Sequence, residues 1–376
     1  MIEKPENKFS YQPYRTYLQV VLGGIALFLL LNAILWFGYT RPLFNTHPKV
    51  GDLARLGYLV GAANPRVPKN TLPNKHLTTW QPGISPPIDV VTIGDSFFEG
   101  KGHGLNNYFQ DHLATQYDLT VLHLERYPAN TRNPFLTLAH ALNSGLLQKI
   151  GPKVVILECM DSKVLPNTKA MRASGGFDLE TYDNLQALLT YYQAPTATQL
   201  EKEGEEAYFK SLPFLNSANS QLVMFNALYP FIDRPFKSQV VWADITTPLF
   251  SKAPRKLAFH HNQVEMATRT HAEEVAQANT LVNQAAEALS KQGIRLVFMP
   301  VVNKYDLYHP ALVDKSHYPK PQFFQHLRPL PRTYALIDTQ AILRPAVAKG
   351  VVDLYHADDS HWTHRAIEQV VSEIEL

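Results

Sequence analysis

Two short stretches of the chain carry residues that could perform chemistry together. In VVTIGDSFFEG (90–100) a serine follows an apolar, β-branched run, and in LYHADDSHWTHR (354–365) a histidine follows two aspartates. A serine hydroxyl is a weak nucleophile until a base takes its proton, so Ser96 needs a partner such as His361. Asp358 and Asp359 stand close enough in sequence to hold that imidazole in one tautomer. Nucleophile, base and orienting carboxylate together suit acyl transfer. Each stretch also has a plain structural reading. Asp95 or Ser96 suits the cap of a helix after the strand, and Asp359 or Ser360 the cap of a helix starting near Trp362. Neither short motif is diagnostic by itself.

The elements that must bring these stretches together are legible as an alternation. Four apolar runs of strand length fall at 89–93, 119–124, 153–158 and 294–302. Helical periodicity falls between them at 106–116, 133–149 and 263–291, the last ending at Gly293. Such alternation predicts an α/β fold with a parallel sheet sandwiched by helices. Ligands of an open parallel sheet bind beyond the carboxyl ends of its strands, which is where Gly94, Asp95 and Ser96 emerge. Gly94 permits a tight bend, and a helix starting at Ser96 would offer unpaired N–H groups to an oxyanion. Residues 162–261 break the rhythm. DNLQALLTYYQ and EKEGEEAYFKSL there predict a mainly helical insertion, a candidate lid or docking element.

The 376 residues carry 35 basic and 33 acidic side chains, a formal charge of +2. No basic block occurs, which argues against nucleic acid as a partner. Residues 18–39 form an uncharged apolar run that, as a helix, matches a hydrocarbon core of about 30 Å. Trp36 and Tyr39 stand at its far end, where amphipathic rings favour the headgroup layer. The expected organisation is a cytoplasmic tail (1–17), a transmembrane anchor (18–39), a proline-rich stalk or wrapping arm (40–87) and an α/β domain (88–376). A short tail before a single anchor places that domain outside the cytoplasmic membrane, periplasmic or extracellular. Cys159, alone, forms no internal disulfide and is expected to be buried and inert. His260, His261, His271 and Glu265 match no zinc spacing and read as a solvated helix face, so no metal is expected. No nucleotide or coenzyme signature is present, so no cofactor is expected either.

IGDSF after the first strand, with DDSHW before the last helix, resembles the SGNH/GDSL hydrolase superfamily. Within it, the chain is similar to the alginate-type O-acetyltransferases of exopolysaccharides, and KVVILECMDSKVL is similar to a strand-plus-acidic segment of that group. The resemblance covers roughly 89–165 and 294–376. It implies an SGNH-like, flavodoxin-like sheet, Ser96 as nucleophile, His361 as general base and then acid, and an aspartate orienting His361. Superfamily esterases carry Asp-x-x-His, here Asp358, whereas the alginate-type proteins carry Asp-x-His-Trp, here Asp359, the favoured choice. The Asp-His motif follows the serine here, as in esterases, whereas it precedes the serine in the alginate-type proteins. The superfamily's oxyanion glycine and Gly-x-Asn-Asp block are replaced by ERYPANTRNP and ECMDS. Gly94, Asp95 and Asn130 are the candidate oxyanion or substrate-binding residues, with Arg126 or Arg132 assisting, and Trp362 walls the base from water. Glu158 and Asp161 fall at the rim after the third strand. Lys304, Tyr305 and Tyr308, after the fourth, are candidate contacts to sugar hydroxyls.

The resemblance implies a membrane-anchored O-acetyltransferase that acts on a cell-envelope or secreted polysaccharide through an acyl-serine. Its acyl group would arrive through a multi-spanning membrane acyltransferase. The alternatives are a non-catalytic scaffold of a polysaccharide assembly complex and a carbohydrate acetylesterase.

Overall fold

The computed structural model of the protein describes residues 12–45, 50–64, 72–100, 108–129, 131–177, 182–193 and 212–375. Five parallel strands form its central sheet: β1 Val90–Ile93, β2 Val121–Leu124, β3 Val154–Met160, β6 Arg295–Val301 and β7 Ala335–Leu336, in the order β2-β1-β3-β6-β7. Every residue of β1 and β2 is buried, as expected when helices cover both faces of a parallel sheet. That is why those strands read as continuous apolar runs rather than as an alternation. The register sets β1 flush with its neighbours, Ile93 beside Leu124 and Leu157, so the chain leaves three adjacent strands at one edge.

The segment 162–261 departs from the expected mainly helical insertion. Helices Asp161–Ala173, Leu185–Gln193 and Ser217–Leu228 are present, but β4 Val240–Asp244 and β5 Lys256–His260 pair there as an antiparallel ladder. Alternate residues of these strands enter two different cores. Val241, Ala243, Leu257 and Phe259 join the main core, while Val240, Trp242 and Ala258 join a second one with Leu43, Leu53, Ala54, Leu59, Leu222 and Tyr229. Strands wetted on neither face show no period-two polarity, so the usual strand signal is missing. The expected EKEGEEAYFKSL helix lies outside the described residues.

The helix expected over 263–291 is two helices, His261–Arg269 and Ala272–Ser290, separated by extended backbone at Thr270 and His271. The second buries a long stripe from Val275 to Leu289, the first only Gln263, and Glu273 and Glu274 suit a separate positive helix start. Near the amino terminus, Tyr14–Phe44 is long and apolar enough to cross a membrane, with a mean hydropathy of 2.5. Trp36, at the far end of the run, is buried edge-on against Phe214. The proline-rich stretch folds back as an arm where it is described. Asp52–Gly57 is a short helix whose Leu53 and Ala54 are fully buried, and Leu77 bridges to Leu122, covering the outer edge of β2.

Candidate active site

Gly94, Asp95 and Ser96 leave β1 at the carboxyl edge of the sheet. The register that pairs Ile93 with Leu157 sets Gly94 beside Glu158. A β-carbon at Gly94 would lie 2.5 Å from Glu158 Oε2 and 2.7 Å from Phe98 Cδ2, so glycine answers to lack of space at this position. The Asp95 N–H donates to Glu158 Oε2 at 2.7 Å, and Asp95 Oδ1 accepts from the Phe97 N–H at 3.1 Å. The Asp95 carbonyl accepts from the Phe98 and Glu99 N–H groups. This turn takes the place of the helix expected to begin at Ser96, and the next described helix starts at Phe109. Ser96 is half-buried, while Phe97 and Phe98, which follow it, turn into the core.

The second half of the site is a loop closed at its base by an antiparallel bridge between Tyr355 and Trp362, with the His356 N–H donating to the His361 carbonyl at 3.2 Å. The loop lowers His361 onto Ser96. His361 Nε2 lies 2.8 Å from Ser96 Oγ, and His361 Nδ1 lies 2.6 Å from Asp359 Oδ1. A carboxylate can only accept, so Nδ1 carries the proton and Nε2 is left to accept from the serine hydroxyl. Asp359 Oδ1 also accepts from the His361 N–H at 2.9 Å, fixing ring and backbone together. Burial works against a charge on His361, but Asp359, its hydrogen bond, Asp52 and Asp95 outweigh it and raise the pKa above the ordinary histidine value. Phe97 lies 5.0 Å from the imidazole, centroid to centroid, and Trp362 packs edge-on against Phe97 at 5.4 Å. Trp362 thus backs the Phe97 ring that packs on the imidazole.

Asp358 faces away from the imidazole. Its Oδ2 accepts from the N–H groups of Gly51 at 3.0 Å and Asn64 at 3.1 Å, so its partner is the arm that follows the apolar helix. The same arm reaches the remainder of the loop. The Asp52 N–H donates to Asp359 Oδ2 at 3.2 Å, and Asp52 accepts from the Ser360 N–H at 2.8 Å and the Ser360 hydroxyl at 2.6 Å. Burial and the neighbouring Asp359 push the Asp52 carboxyl up, yet His260 and His361 hold it below the usual carboxylate range. His260 is thus no solvated helix residue. It ends β5 and lies 3.4 Å from Asp52 Oδ2.

From below, Lys304 holds the loop. Its ammonium donates to the carbonyls of His356 at 2.7 Å, Ala357 at 3.1 Å and Asp359 at 3.1 Å, using all three of its protons. Lys304, Tyr305 and Tyr308 are completely buried, so the expected sugar contacts are corrected: Lys304 holds the loop, Tyr308 accepts from the Tyr355 N–H at the loop's base, and Tyr305 packs in the core against Phe259 and Tyr318. Burial, and then the charge of Asp95, push the Glu158 carboxyl well above its usual range beneath the serine turn. Asp161 is raised by burial and by Asp306, and it accepts from Asn303 Nδ2 at 2.6 Å, joining the end of β3 to the turn after β6.

Of the candidate residues, Ser96, His361 and Asp359 come together, Gly94, Asp95 and Trp362 support them, and Asp358 binds elsewhere. Asn130 lies outside the described residues; Arg126 pairs with Glu99, and Arg132 is exposed. Cys159 is buried inside β3, and burial pushes its thiol well above the ordinary range. Gly51 and Asp52 carried no local motif, and only contact with a loop some 300 residues distant gives them a part in the site. Comparison with protein-family models, with curated proteins and with solved structures yields no match.

Proposed function

We propose that the protein is a serine-dependent acyltransferase of SGNH-like character that moves an acetyl group to a hydroxyl of a cell-envelope or secreted polysaccharide. The observation that carries this reading is the unbroken chain of short contacts from Ser96 Oγ through His361 to Asp359. In the first half-reaction Ser96 Oγ attacks the acyl carbonyl and its proton passes to His361 Nε2. The tetrahedral adduct then expels the donor's leaving group, which takes that proton, and the acyl group stays on Ser96. In the second half an acceptor hydroxyl gives its proton to Nε2 and attacks the acyl-serine, and the collapsing adduct releases Ser96, whose oxygen takes that proton back. Asp359 stabilises the imidazolium in both halves.

The apolar helix supports a membrane anchor with the α/β domain outside the cytoplasmic membrane. The arm that joins this helix to the Asp358–Ser360 loop supports a donor that reaches the site from the membrane side, as a multi-spanning acyltransferase partner would provide. A fluorophosphonate probe tests the chemistry. Labelling is expected for the native chain and is lost in Ser96→Ala; a native chain that stays unlabelled points to a non-catalytic scaffold. Rapid release of acetate from small esters, with no transfer to an added glycan, favours an acetylesterase.

A further inference from the structure

The chain from Ser211 to Ile232 contains no charged residue, although it lies at the molecular surface where it is described. Its helix Ser217–Leu228 and flanking turns expose Phe214, Leu215, Val223, Met224, Phe231 and Ile232. Surface helices of a water-soluble face are normally charged on the outside, and a contiguous apolar patch marks an interaction surface.

What covers this patch follows from its attachment to the apolar helix. Asn32, inside the apolar run, donates from Nδ2 to the Phe214 carbonyl at 3.0 Å, and its Oδ1 accepts from Asn219 Nδ2 at 2.7 Å. Trp36 and Phe37 both pack against the Phe214 ring. Further along, Asn45 exchanges hydrogen bonds with Leu212 in both directions. Asn32 precedes Tyr39, the end of the apolar run, by about 10 Å of helix axis. Phe214 and the start of the Ser217–Leu228 helix are bound at that level. When the apolar helix spans a bilayer, these residues must enter the same leaflet, to a depth of about 10 Å, comparable with that of interfacial helices. The paired asparagines satisfy each other there, as polar side chains in hydrocarbon must.

We propose that the Phe214–Met224 surface is a second membrane contact, inserted into the lipid of the leaflet that the apolar helix exits. Beyond Met224 the helix leaves the lipid with the arm, where Asn226 donates to the Tyr58 carbonyl and the Tyr229 hydroxyl to the Gly57 carbonyl, and charges resume at Asp233, Arg234 and Lys237. Helix and patch together fix the domain's tilt, and through Gly51 and Asp52 they set the Ser96 site at one height above the lipid.

The inference rests on the apolar helix being a membrane span, and the test separates the two ideas. Single cysteines carrying a nitroxide replace Leu215, Met224, Leu29 of the apolar helix, or exposed Ile84 outside the patch, in the full chain held in phosphatidylethanolamine–phosphatidylglycerol nanodiscs. Cys159, fully buried, stays unlabelled. Oxygen is expected to relax the spin at Leu215, Met224 and Leu29 more than a water-soluble nickel chelate does, with the order reversed at Ile84. Lipid exposure at Leu29 with water exposure at Leu215 and Met224 overturns the second contact while leaving the anchor standing, and assigns the patch to a protein partner absent from pure lipid. Water exposure at Leu29 as well overturns the anchor and the proposal with it.

Discussion

Asp358 and Asp359 are neighbours with different partners, and the difference is open to a direct test. Asp359 meets the imidazole, so Asp359→Asn is expected to lower kcat by about 10⁴-fold, the cost of losing the correct tautomer in Ser-His-Asp sites. Asp358 meets the Gly51 and Asn64 N–H groups, so Asp358→Asn should lower Tm and leave the pH profile of turnover in place. Comparable kcat losses in the two variants would remove the assignment. His361 gives a pH prediction of definite sign. It must be neutral to accept the Ser96 proton, so kcat/KM rises as pH passes upward through its pKa. Asp359, Asp52 and Asp95 outweigh burial and raise that pKa, so the acid limb lies above the ordinary value of about 6.5. Asp52→Asn removes one of the negative charges that favour imidazolium, so the limb should move to lower pH. A pH–rate profile with a small acetyl ester reads this directly, and an unmoved or upward limb contradicts it. The choice between the two aspartates was not decidable from spacing alone, since both lie within reach of His361 in sequence and only the loop's backbone path separates them.

Among the elements, the loop closed by Tyr355 and Trp362 does its work because Lys304 grips three of its carbonyls from inside. Lys304→Met keeps an apolar stem but leaves those carbonyls without the ammonium, at a cost of about 1–3 kcal/mol for each buried group left unsatisfied. A lower Tm is expected, with kcat falling more than KM changes, because the loop positions Asp359 and His361 rather than the substrate. A KM effect with unchanged kcat would instead restore the sugar-contact role. How much could be read beforehand also divides by element. β1, β2, β3 and β6 were legible because strands covered on both faces read as largely apolar runs. β4 and β5 were not, because Val241 and Phe259 enter one core while Trp242 and Ala258 enter another, leaving no polar face to betray the strand. The break at Thr270 and His271 escaped for a related reason, since apolar residues on both sides kept helical spacing across it.

At the scale of the molecule, two cores share the wall of β4 and β5, and the arm from the apolar helix crosses the second core to reach the loop of the first. Ser96 and His361 were readable because each sits at a strand or helix boundary with its own local pattern. The role of Gly51 and Asp52 was not, because it exists only once the arm lies against residues 358–360. That contact has almost no slack. A β-carbon on Gly51 would stand 2.2 Å from the Asp358 carbonyl oxygen and 2.8 Å from Asp359 Cβ, both in backbone-bound positions that cannot swing aside. Gly51→Ala must therefore displace the arm or the loop. If the arm moves, the chain loses the Gly51 and Ala54 N–H bonds to Asp358; if the loop moves, Asp359 shifts beneath His361. Either displacement disturbs a relay whose hydrogen bonds are 2.8 and 2.6 Å long, and small misplacements of reacting groups cost about 10²-fold in rate. The expected result with a small soluble ester is a loss of kcat of that order, in a chain that keeps its far-ultraviolet circular dichroism. Native turnover in Gly51→Ala would mean that the arm lies on the loop without positioning it, and the site would then be built by the α/β domain alone.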